Sequence, residues 1–181
     1  MRRATVFMLF ALALLPCTAG AVSIGVGAFG GLSIPVLQDD NGQGSVFGLR
    51  APVVLIPLVT VEPYYAKTSC GDIDQEVGGE TITRSGMDVG GFGANVLLTF
   101  GTGVQMYPFL GIGSSTMQRV DMEDVTNTTY TFGLGFGFSP MPKLSIHARG
   151  EMAAAVDGET SRKWANVTVG VTYKVFSTPI P

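Results

Sequence analysis

Five residues carry side chains that could do chemistry within otherwise apolar or small-residue stretches: Arg50, Glu62, His147, Arg149 and Glu151. Arginine and glutamate can form ion pairs, and histidine can take or give a proton near neutral pH. Arg50 and Glu62 lie in LRAPVVLIPLVTVEP. A turn at Ile56 would set them directly across from each other, with Cβ atoms about 5 Å apart. His147, Arg149 and Glu151 are spaced by two, so an extended chain puts them on one face. Two arginines and two glutamates balance in charge, and a charge removed from water persists only when paired. Two uses are open: a plug of salt bridges that fixes a core, or a gate for small ions. Catalysis needs a nucleophile beside its base; none accompanies His147, and no enzyme activity is expected. No cofactor or metal is expected either. GVGAFGG and GLGFG lack the strand-to-helix context of a phosphate loop.

The elements that must position these residues are strands. In TYTFGLGFGFS, Tyr130, Phe132, Leu134, Phe136 and Phe138 share one parity, and Thr131, Gly133, Gly135, Gly137 and Ser139 the other. This period of two marks a β-strand with unlike faces. Eight such segments recur, over about 22–34, 45–54, 58–68, 87–100, 104–114, 128–139, 143–156 and 162–176. Connections are alternately longer and tighter, with tight ones near Ile56, Thr102 and Pro140–Pro142 and acidic longer ones over about 69–86 and 115–127. That rhythm fits an all-β, up-and-down antiparallel barrel whose rims face different compartments.

The sparse face decides which solvent each side meets. A water-facing exterior carries many lysines and glutamates, whereas here glycine, serine and threonine dominate it. Small residues suit the lumen of an eight-stranded barrel, which is only wide enough for side chains to fill. The bulky face then belongs against lipid, since phenylalanines left in water cost on the order of 2 kcal/mol each. All five candidate residues take the lumen parity. A hairpin turning at Thr102 would set Tyr107 and Phe109 inward, opposite Leu97 and Asn95, with Gly91 and Gly93 leaving room. Tyr65, Tyr107, Tyr130, Trp164 and Tyr173, with Tyr64, fall near strand ends and are read together as an aromatic girdle.

The remaining sequence fits a secreted membrane protein. Charged residues make up only 14% of the 181 residues, against about 25% in soluble domains. Arg2 and Arg3, the apolar run Val6–Leu15 and Ala19-Gly20-Ala21 read as a signal peptide over 1–21, with a barrel over 22–176 and a short tail over 177–181. Losing both arginines takes the net charge from −3 to −5, which argues against a nucleic-acid partner. Cys17 leaves with the signal unless it is lipidated, and Cys70 is then the one mature cysteine.

LRAPVVLIPLVTVEPYYAK, QMYPFLGIG and NVTVGVTYKVF together resemble the OmpA/OmpX-type family of small bacterial outer-membrane β-barrels. The last segment is similar to the family's C-terminal assembly signal, through Thr168, Gly170, Tyr173 and Val175. The resemblance implies a monomer in the bacterial outer membrane, surrounded by membrane lipids and lipopolysaccharide and folded by the barrel-assembly machinery. Its role would be structural or one of surface interaction through extracellular loops, with an unidentified loop partner; a narrow channel or a lipid-modifying enzyme are the alternatives. Lipid A deacylases of similar size carry a serine two residues after the histidine on the lipid face. Here position 149 is Arg, and His147 has the lumen parity.

Overall fold

The computed structural model describes residues 23–36, 42–78, 80–118, 123–157 and 160–178. The signal-peptide reading of 1–21, Cys17 and the last residues of the tail lie outside them. Eleven strands follow in chain order: β1 (Ser23–Val36), β2 (Gly44–Arg50), β3 (Val53–Ile56), β4 (Val59–Cys70), β5 (Ile73–Val77), β6 (Glu80–Arg84), β7 (Asp88–Leu98), β8 (Val104–Gln118), β9 (Val125–Met141), β10 (Leu144–Asp157) and β11 (Thr160–Ser177). β2 and β3 are two pieces of one wall, because Pro52 has no N–H to give to a ladder. Its carbonyl is still used, accepting from Gly25 N at 2.8 Å. Each wall pairs antiparallel with the next. β1 closes on β11, from Ser23 opposite Ser177 to Val36 opposite Lys163. The result is a closed, eight-walled, up-and-down barrel. β5 and β6 form a separate hairpin within the long connection between β4 and β7, a segment whose alternation was too short to stand out.

The two faces divide by parity. Phe47, Leu49, Phe92, Leu110, Phe132, Leu134, Phe136, Phe138, Val167 and Val169 all point outward, each about half exposed or more. Inward lie Ser33, Thr60, Asn95, Thr131, Asn166 and Thr168, all buried. An apolar band of this extent on the outside of a closed barrel belongs against hydrocarbon and not water.

Two registers differ from the sequence expectation, each by one position at the turn. The β3–β4 turn closes Ile56 on Val59, with a bulge between Val54 and Ile56. Pro57 suits the first inner position of that turn, where its fixed φ is an advantage. Arg50 therefore faces Tyr64 and not Glu62. In the β7–β8 hairpin, Gly101 and Gly103 have φ of 96° and 86°, a conformation that favours glycine. Their turn sets Phe109 opposite Leu97 and Gly111 opposite Asn95. Moving a turn centre by one residue moves every partner by two, so each side chain keeps its face and changes its neighbour.

The glycines of β9 are the counter-shape of the lumen's largest side chains. His147, Arg149 and Glu151 sit opposite Gly137, Gly135 and Gly133. A Cβ at Gly133 would come within 2.7 Å of Phe109 Cζ, and one at Gly135 would run into the Tyr107 ring. Gly135→Leu is expected to destabilise the barrel by about 1–3 kcal/mol through overpacking. Phe136→Leu, one residue away on the outer face, should cost under about 1 kcal/mol. Urea unfolding from lipid vesicles, followed by gel mobility of unheated samples, distinguishes the two.

Candidate functional site

The lumen is the candidate site, and it is filled in layers. At the end carrying the longer loops, Met87, Val89, Met117, Ala153, Ala155 and Trp164 form a buried apolar cluster. Trp164 lies between Pro35 of β1 and Ala153 of β10 and is 8% exposed. It shares the parity of Asn166 and Thr168, so it is a lumen residue and not part of a girdle. Tyr107, 2% exposed, is likewise inside, because it has the parity opposite to Val104 and Met106. For both residues parity, and not proximity to a strand end, decides the side. Tyr65, Tyr130 and Tyr173 do face outward. Tyr64 points inward, against Gly93.

Below this cap lie the charges. Arg149 Nη1 and Nη2 donate to Glu62 Oε1 and Oε2 at 2.5 and 2.6 Å. This two-point geometry is the strongest an arginine and a carboxylate can adopt. The pair joins β10 to β4 across the lumen, and both side chains are nearly inaccessible, at 6% and 2%. Glu62 thus has a partner other than the Arg50 expected from a turn at Ile56. Pairs across a barrel are set by curvature, which a strand-by-strand reading does not contain.

A chain of hydrogen bonds continues from this pair. Arg149 Nε donates to the Tyr107 hydroxyl at 3.0 Å, and that hydroxyl meets His147 Nδ1 at 3.1 Å. Arg149 Nε can only donate, so the phenol's own proton is free for Nδ1. This arrangement suits a neutral His147 with its hydrogen on Nε2. The guanidinium also stacks over the rings of Tyr107 and Phe109, at 5.1 and 5.3 Å. Asn166 Nδ2 donates to Glu151 Oε1 at 2.7 Å, and Thr131 Oγ1 to Asn95 Oδ1 at 2.9 Å. Arg50, 3% exposed, lies 5.0 Å from the Phe29 ring centre. Asn95, Asn166, Tyr64 and Tyr107 complete this core. Their signal in the sequence is a polar group at lumen parity inside a strand.

Beneath the pair, a cavity of about 150 Å³ is lined by Ser23, Thr60, Gln105, Ser139, Ser145 and Lys174, with Tyr107, His147 and Arg149 also contributing. Among the described residues no three His, Cys, Asp or Glu side chains converge as metal ligands.

Neither a protein-family model nor a curated protein matches the chain. Solved structures do. Neisserial surface protein A aligns at a TM-score of 0.61 and 14% identity, over 86% of this chain and 99% of its own. The N-terminal β-barrel domain of Pseudomonas aeruginosa OprF aligns at 0.55 and 13%, over 83% and 97%. Yersinia pestis Ail in a phospholipid bilayer nanodisc aligns at 0.53 and 19%, over 84% and 99%. The fold is that of the small eight-stranded outer-membrane β-barrels. In such a barrel the apolar band is the lipid contact, and the buried clusters of the described residues lie in the lumen.

Arg149→Met or Glu62→Met alone is expected to cost about 3–5 kcal/mol, because each leaves a buried charge unpaired. The double substitution should cost less than the sum of the singles, as measured by a double-mutant cycle on unfolding from vesicles. On the loop-side rim, Asp88 accepts from Ser69 Oγ at 2.6 Å and meets Lys67 Nζ at 3.3 Å. The Ser69 hydrogen bond, with Lys67 beside it, holds this carboxyl below its ordinary value. A depressed carboxyl stabilises the fold above its unfolded pKa, and that stabilisation is lost as pH falls through the folded value. Asp88→Asn should therefore lower the unfolding midpoint slightly at pH 7, and the difference from wild type should shrink as pH falls through the folded-state value and the wild-type carboxyl protonates.

Proposed function

We propose that the protein is a closed outer-membrane barrel with a structural or surface-interaction role carried by its extracellular loops. What supports this reading is the set of side chains packed inside the walls. The apolar cluster around Trp164, Met87 and Met117 and the Arg149–Glu62 bridge lie one above the other, and an ion would have to displace both. A water-filled path through eight walls would need an interior that side chains leave open. The long β4–β7 connection, with its β5–β6 hairpin, is the most built-up loop structure and the first candidate for contact with a partner. Two barrels of similar fold are a neisserial surface protein and the outer membrane protein Ail, and a surface role would suit such loops. In this reading the protein is a monomer, lipopolysaccharide and phospholipid surround it, and the barrel-assembly machinery folds it through the closing strand Asn166–Phe176. No catalysis is proposed: the Tyr107 phenol that meets the His147 ring is buried and is also held by Arg149 Nε.

Single-channel recording of refolded protein in planar bilayers tests the plug. The expected result is no sustained conductance. A stable, ion-selective current would favour the channel reading, with the Arg149–Glu62 bridge as its barrier.

A further inference from the structure

Arg50 stands apart from the other lumen charges. Its Nε, Nη1 and Nη2 have no hydrogen-bond partner in the protein, although the residue is 3% exposed. Both oxygens of Glu62 are taken by Arg149. The described contact of the guanidinium is the Phe29 face at 5.0 Å, which satisfies none of its five N–H groups. A buried, charged donor left unsatisfied costs several kcal/mol, so an acceptor that the chain does not supply must complete the site. Arg50, Glu151, Glu62, Tyr64, Asn95 and Thr168 border one small cavity of about 20 Å³. That is room for a single water, which needs about 10–15 Å³ and two to four polar partners.

We propose that this cavity is a binding site for one ordered water, which bridges the Arg50 guanidinium to the Glu151 carboxylate. The occupant must accept from Arg50, and one that also donates can reach the Glu151 carboxylate, which borders the same cavity. Water accepts and donates; a halide only accepts, and so could serve the arginines at this cavity but neither Glu62 nor Glu151. The lumen then holds two ion pairs of different kinds: Arg149–Glu62 in direct contact, and Arg50–Glu151 separated by solvent. This rests on the closed lumen proposed above, and conductance reports a failure of that closure independently of the water.

The test is a high-resolution crystal structure of the refolded, full barrel, solved from chloride and from bromide solutions. The expected result is one density peak within about 3.2 Å of both Arg50 and Glu151, with no anomalous signal in bromide. An anomalous peak there, no density, or a direct Arg50–Glu151 contact each overturns the proposal. A double-mutant cycle needs no crystals. If the bridge exists, the unfolding midpoint of Arg50→Met/Glu151→Gln lies above that of either single variant; additive losses overturn it.

Discussion

Hydrocarbon gives a backbone N–H no alternative partner, and a sheet edge exposed to it leaves several groups unsatisfied at several kcal/mol each. The β1–β11 ladder is the answer to that constraint, since it removes the last edge. Once the sheet is closed, the sides are fixed by period alone. Residues of one parity meet acyl chains, and those of the other meet one another. The outward set tolerates any apolar size, because lipid conforms to it. The inward set must fit a fixed radius, which explains why glycine alternates with phenylalanine along β9.

The fixed radius also governs the chemistry of the interior. Large side chains enter only where the facing strand is bare. Tyr107 lies against Gly135, Phe109 against Gly133, and Arg50 against Gly170. Steric space is thus assigned residue by residue, and charges are brought into contact across the lumen. Arg149 and Glu62 meet from walls on different sides, and Tyr107 links them to His147. The apolar cap around Trp164 shields this layer from the loop side. Shielding strengthens the ion pair and raises the cost of losing one partner. Side chains packed across the lumen in this way tie opposite walls together, and in the reading proposed above they also close the pore.

Faces were legible in the sequence because parity is a local property. The eight walls, their antiparallel order and the inward placement of Arg50, Glu62, His147, Arg149 and Glu151 follow from it. Register was less legible, because it depends on which residue centres a turn. Pro57 and the Gly101–Gly103 pair each shifted a centre by one, enough to replace an Arg50–Glu62 opposition by Arg50–Tyr64. Contacts across the barrel were not legible at all, because they need the curvature of the closed sheet. Tyr107 and Trp164 lie near strand ends yet have lumen parity, and the structure places them by parity. The β5–β6 hairpin escaped because its strands are five residues each, too short for alternation to emerge.

The protein holds one tryptophan, and it lies on the inner side of the wall. Brominated phospholipids quench an indole only when their acyl chains touch it, so Trp164 reports directly on which parity faces lipid. In vesicles of brominated lipid, wild-type emission should stay close to its value in unbrominated lipid, and Trp164→Phe/Phe136→Trp should be strongly quenched. Strong quenching of Trp164 together with a shielded indole at position 136 would mean the two sides are reversed, and the account would be wrong.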